Sequence, residues 1–117
     1  MQQPGVDMMV WALLMIACQQ DEVEEVLALE PNLTNGEAVY DMSCTSCHGG
    51  AGEGGIGTSF VQAFNELHDQ GGSWEEEVRV WVHTILEGDE TMPAWRGELS
   101  EQDIADVVGY VHTTWGM

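Results

Sequence analysis

Cys44-Thr45-Ser46-Cys47-His48 sets two thiols three positions apart and an imidazole directly after the second. Two intervening residues bring the cysteines about one helical turn apart on a common face. This is the C-x-x-C-H pattern of covalent haem attachment, in which each sulfur meets one vinyl group of a single porphyrin and the histidine ligates the iron.

Two other chemistries use a Cys-x-x-Cys pair. Zinc asks for a second pair or a Cys/His pair; here it would have to recruit two of His68, His83 and His112 at spacings unlike a common finger. A redox dithiol belongs between a strand and a helix of a βαβ unit, and the neighbouring sequence has no alternating strands. Haem attachment is the expectation that remains.

Moving outward, the loop Gly88-Asp89-Glu90-Thr91-Met92-Pro93 carries a methionine whose backbone is stiffened by the following proline. Most methionines fill cores, so the other six need placing. Met1, Met8, Met9 and Met15 belong to an N-terminal apolar leader, Met42 lies too near Cys44 to reach the opposite haem face, and Met117 ends the chain. Met92 is therefore the expected second axial ligand, with His83 in reserve.

With these segments the chain resembles a class I, monohaem c-type cytochrome. Met92-Pro93-Ala94-Trp95 resembles that family's distal-ligand segment, and the resemblance covers residues 35–116. It implies an all-α fold of about four short helices around one haem c, held covalently by Cys44 and Cys47 with His48 and Met92 on the iron. It implies one-electron transfer between protein redox partners and no enzymatic turnover. In relatives a carbonyl near a proline holds the proximal histidine's other ring nitrogen, a task that falls here to Thr58 or a neighbour. The first and last helices of the family cross at a small residue and an aromatic, for which Gly36 and Tyr40 are candidates.

Periodicity supplies the helices independently. Asn35 is expected to cap a helix with Gly36, Tyr40 and Cys44 on one face. Six glycines between Gly49 and Gly57 leave room for backbone to wrap a flat group or to form an ordinary loop. Ser59-x-x-Gln62 and Ser73-x-x-Glu76 resemble capping boxes, and the second opens a stripe of Trp74, Val78, Trp81, Val82 and Ile85 that Gly88 ends. Ser100-x-x-Asp103 starts the last helix, with Ile104, Val107, Val108, Val111 and Trp115 in register. Trp95 is an expected wall residue, while Arg96 suits either a haem propionate or the surface.

Composition bounds the partners. The chain has 117 residues, 21 Asp and Glu, no lysine and two arginines, for a formal charge of -19. Sequence-independent nucleic-acid binding needs Lys and Arg, so nucleic acid is excluded. The carboxylates suit either docking to a basic protein patch or solubility in a saline medium; a deficit of cations along the whole chain favours the second. A body of roughly 80 residues makes a marginal core by itself, which a buried macrocycle would complete.

Met8 to Ala17 is an apolar run of ten residues, short for a membrane span and right for a signal-peptide core. Leu14-Met15-Ile16-Ala17-Cys18 resembles a lipobox, in which Cys18 becomes the lipidated first residue of the mature chain. Residues 1–17 are accordingly expected to be a signal peptide, 18–34 an acidic tether interrupted by Pro31, and 35–117 the cytochrome domain. The protein is then exported, periplasmic and membrane-anchored, as a monomer or a subunit of a respiratory complex. If Met92 stays off the iron, a haem enzyme or a gas or peroxide sensor is the alternative; a permanently docked cytochrome subunit is another.

Overall fold

The computed structural model describes residues 22–116, which form six helices and no strand. Residues 22–27 are helical (α1). They are followed by α2 (Leu33–Ser43), the single turn α3 (Thr45–His48), α4 (Phe60–Asp69), α5 (Trp74–Glu87) and α6 (Glu101–Trp115). The all-α expectation holds, and no described helix is long and apolar enough to cross a membrane.

The frame of the fold is the crossing of α2 and α6. Both present small or aromatic side chains at the contact: a Cβ on Gly36 would lie 2.1 Å from the Asp106 carbonyl oxygen and 2.8 Å from Tyr110 Cβ. The backbones therefore meet without a side chain between them. One turn on, Tyr40 is fully buried, its ring 5.7 Å from Tyr110 and 5.1 Å from Trp115. Its hydroxyl donates to the Gly49 carbonyl at 2.5 Å. Burial, reinforced by nearby Cys44, pushes the phenol up to about 12, so it stays a donor at neutral pH. Gly36 and Tyr40 thus form the crossing expected of them.

The start of α2 differs from expectation. Asn32, not Asn35, is the N-cap, and its side chain accepts the Asn35 N–H at 3.1 Å. Asn35 is drawn instead to α6, where its amide donates to Asp103 at 2.9 Å and Asp106 at 2.8 Å. The Asp106 carboxylate is 1% exposed and also accepts from the Asn32 N–H and from Gln102, each at 2.7 Å. Burial alone would raise its pKa. Bonds from Asn32, Gln102 and Asn35 outweigh that effect and hold it below the ordinary aspartate range. A buried charge with this many donors locks the two helices in register.

The other helix starts follow local chemistry. Ser59 accepts the Gln62 N–H, and Ser100 with Asp103 forms a reciprocal capping box. At Ser73 the expected box is missing, because its hydroxyl donates to Glu75 instead. Val82 and Leu86 of α5 and Ile104, Val107, Val108 and Val111 of α6 fill the core.

Residues 22–34 do not run free as the expected tether. Val26 is 2% exposed within the core, and Val23, Leu27 and Leu29 pack beside it. Arg79 pairs with Glu24, and Arg96 with Glu22 and Glu87. Such exposed pairs contribute about 0.2–1 kcal/mol each, whereas burying a valine contributes about 1.5–3 kcal/mol. Apolar burial therefore holds the segment down, and the charges set where it lies. The α1 turn ends at residue 27, four residues before Pro31, and the folded unit starts well before residue 35. The leader, Cys18 and the first residues of the expected tether lie outside the described residues.

Candidate haem site

A cavity of about 620 Å³ opens between α3, α5, α6 and the loop after α5. This lies in the usual range for a bound organic group. Cys44, Cys47 and His48 line one side, and Met92 and Trp95 come from the loop. Phe60, Trp81, Ile85, Val107, Val108 and Val111 supply apolar walls.

The C-x-x-C-H stretch bends because α2 stops at Ser43 and α3 makes one separate turn. Both thiols are half-buried and unpaired. Burial, and secondarily the neighbouring Cys47, pushes the Cys44 thiol up to about 11. It is therefore a protonated thiol at neutral pH, opposite to the low-pKa thiolate a redox dithiol needs. Among the described residues no group of three or more His, Cys, Asp or Glu side chains converges as a metal site, so the zinc alternative has no ligand set.

His48 is oriented by the glycine loop. Its Nδ1 lies 2.8 Å from the Thr58 carbonyl oxygen. A carbonyl only accepts, so this bond requires Nδ1 to carry the proton and leaves the Nε2 lone pair available. The carbonyl partner foreseen at Thr58 is thus in place. The imidazole also stacks on Phe60, ring centres 4.3 Å apart. Gly57 admits it: a Cβ there would lie 2.8 Å from His48 Cε1.

Met92 is held through Asp89, a residue the sequence reading passed over. The Asp89 carboxylate accepts the Thr91 N–H at 3.0 Å and the Met92 N–H at 2.8 Å, while the Asp89 N–H donates to the Met92 carbonyl at 3.0 Å. Those two backbone N–H groups hold the Asp89 carboxyl below its ordinary range. An Asp three residues before a candidate ligand, in a Gly/Pro-bounded loop, is a legible Asx-turn signal. Gly88 starts the loop at φ +75°, and a Cβ there would lie 2.6 Å from the Met92 carbonyl. The loop returns to α5 through the Trp95 N–H to Ile85 bond at 2.8 Å.

Other candidates fall elsewhere. His83 is exposed and does not line the cavity, which removes its claim as reserve ligand. His112 stacks flat on Trp74 at 4.3 Å, and His68 occupies the last turn of α4. Arg96 lines no part of the cavity and pairs with glutamates.

Residues 31–111 match the family described as cytochrome C oxidase, cbb3-type, subunit III. The chain belongs to this family of c-type cytochrome domains. Among relatives, the cytochrome is 36% identical over 85 residues to cytochrome c6 of Chlorolobion braunii, covering 71% of this chain and 91% of that protein. It is 31% identical over 84 residues to cytochrome c6 of Thermosynechococcus vestitus, covering 72% of this chain and 71% of that one. It is also 29% identical over 111 residues to the gluconate 2-dehydrogenase cytochrome c subunit of Pantoea cypripedii, covering 84% of this chain and 24% of that subunit. The structure of cytochrome cL from Hyphomicrobium denitrificans superposes with a TM-score of 0.53 at 22% identity, over 68% of this chain and 45% of that one, which supports the fold. This cytochrome is a class I, single-haem electron carrier, its cofactor is haem c, and it works with protein redox partners.

The cavity fits that cofactor. Its walls are apolar, it joins two thiols to an imidazole with a free Nε2, and a thioether reaches it from the loop.

Proposed function

We propose that Cys44 and Cys47 bind haem c as thioethers, that His48 is the proximal ligand and that Met92 is the distal one. The observation that carries this reading is one cavity lined at once by all four residues. When bound there, haem supplies a one-electron ferric/ferrous couple, to which thioether ligation gives a higher potential than harder ligands would. Thr58 keeps the His48 imidazole in one tautomer and one orientation. Asp89 holds the Met92 backbone, and Trp81, Ile85 and Val108 keep water out. With His48 and Met92 both committed, no position is left for a substrate, so electrons pass and no bond is made.

We further read the chain as exported, with Cys18 as a lipidated N-terminus. The support is the apolar run of residues 8–17 ending in Leu14-Met15-Ile16-Ala17-Cys18, together with haem attachment outside the cytoplasmic membrane in bacterial members. Intact mass of membrane-extracted protein tests this: an acyl mass on a chain starting at Cys18 supports it, and a mature form starting elsewhere without acyl mass refutes it. The similarity to a dehydrogenase cytochrome subunit favours a second reading, a carrier held on a larger oxidoreductase.

The ligand set is tested in protein matured with haem. Cys44→Ala combined with Cys47→Ala should abolish haem that resists acid-acetone extraction. Met92→Ala should convert a low-spin protein that ignores carbon monoxide into one that binds it. Wild type binding carbon monoxide as fast as the variant would overturn Met92 as ligand.

A further inference from the structure

We propose that residues 22–31 are a docked strap that positions the Met92 loop, with Arg96 as the positioning residue between them. Its consequence for ligand exchange rests on Met92 being the distal ligand; the coupling of strap to loop does not.

The chain carries two arginines and no lysine, and both arginines reach this segment. Arg79 of α5 pairs with Glu24, and Arg96 pairs with Glu22. Along α6, the Gln102 amide donates to the Glu30 carbonyl at 2.9 Å. At Gly109 an added Cβ would lie 2.6 Å from Pro31. With Val26 buried, the strap is seated by apolar contact, hydrogen bonding and charge at separate points along its length. The family match begins at residue 31, so all of the strap but Pro31 lies ahead of it.

Its reach to the distal loop runs through one guanidinium. Arg96 lies four residues after Met92, and its backbone N–H donates to the Leu86 carbonyl at 3.2 Å. Its side chain joins Glu87, in the last turn of α5, to Glu22 of the strap. The loop exit, the end of α5 and the strap are thus fastened at one point. A planar guanidinium with its donors in a fixed fork bridges two carboxylates in a set direction. When the strap lifts, Arg96 loses one of its two anchors, the loop gains freedom, and Met92 leaves its position more often.

Hydrogen exchange followed by mass spectrometry on the holoprotein reads the coupling directly. Glu22→Gln and, as a second lever, Val26→Ala should speed exchange across residues 89–96 by about threefold or more. Glu37→Gln, which removes one negative charge from the exposed side of α2, should leave that exchange unchanged. Carbon monoxide binding to the ferrous protein should accelerate in the first two variants by a similar factor. If Glu22→Gln and Val26→Ala exchange like Glu37→Gln over residues 89–96, the proposal is overturned. If exchange rises while wild type already binds carbon monoxide freely, the strap stands and the assignment of Met92 as ligand fails.

Discussion

The Asp106 carbonyl faces Gly36 so closely that a Cβ at position 36 would lie 2.1 Å from its oxygen. The neighbouring atom is backbone, and no rotamer change relieves the contact. Gly36→Ala must separate α2 from α6 and disturb the Tyr40 packing beneath. We expect a loss of about 1–3 kcal/mol, read as a lower urea midpoint of the holoprotein at unchanged slope. A midpoint equal to wild type would mean that the helices do not cross as described.

The Asp106 side chain gives a pH-dependent signature. Its folded pKa is depressed, by bonds that outweigh burial, so it contributes stability above the unfolded value of about 3.9. That contribution is lost as pH falls through the folded pKa. Asp106→Asn should cost about 1–3 kcal/mol at neutral pH, since an amide nitrogen would face donors from Asn32, Asn35 or Gln102. Its melting curve should also depend less on pH below about 4 than that of wild type. Parallel pH dependences in the two proteins would contradict this account.

Asp89 should govern the order of the distal loop. Asp89→Ala leaves the Thr91 and Met92 N–H groups without their acceptor, and carbon monoxide should bind the ferrous protein roughly three- to tenfold faster than in wild type. Asp89→Asn keeps an acceptor oxygen and should fall between the two. An alanine variant as slow as wild type would assign loop order to Pro93 and the Trp95–Ile85 bond alone.

The formal charge of -19 makes a salt prediction. The Debye length falls from about 10 Å at 0.1 M to about 3 Å at 1 M. Screening carboxylate repulsion should then raise the melting temperature, by about 4–8 °C for each ~1 kcal/mol relieved. A flat melting temperature together with a partner electron-transfer rate that collapses over the same range would show that the acidic surface serves docking instead.

What the sequence determined by itself is local or periodic. Two thiols and an imidazole in one turn specify an attachment chemistry wherever they are folded. Apolar positions 104, 107, 108 and 111 specify a buried helix face because the helical period is a property of the backbone. Gly88 and Ser100 mark helix ends because the chemistry lies within a few residues of each. The choices that depended on distant atoms were open until the chain was folded. Asn32 and Asn35 are both good caps, and only the Asp103 and Asp106 carboxylates, some 70 positions away, draw Asn35 out of that role. Residues 22–30 read as an acidic tether because their four carboxylates are visible along the chain, whereas the site that buries Val26 and the guanidiniums of Arg79 and Arg96 come from distant parts of the chain. The same holds for His83, whose place in the reserve ended because α5 turns it to solvent. Direction around a helix and pairing across the fold are set by packing, and packing is decided only when all the helices are present together.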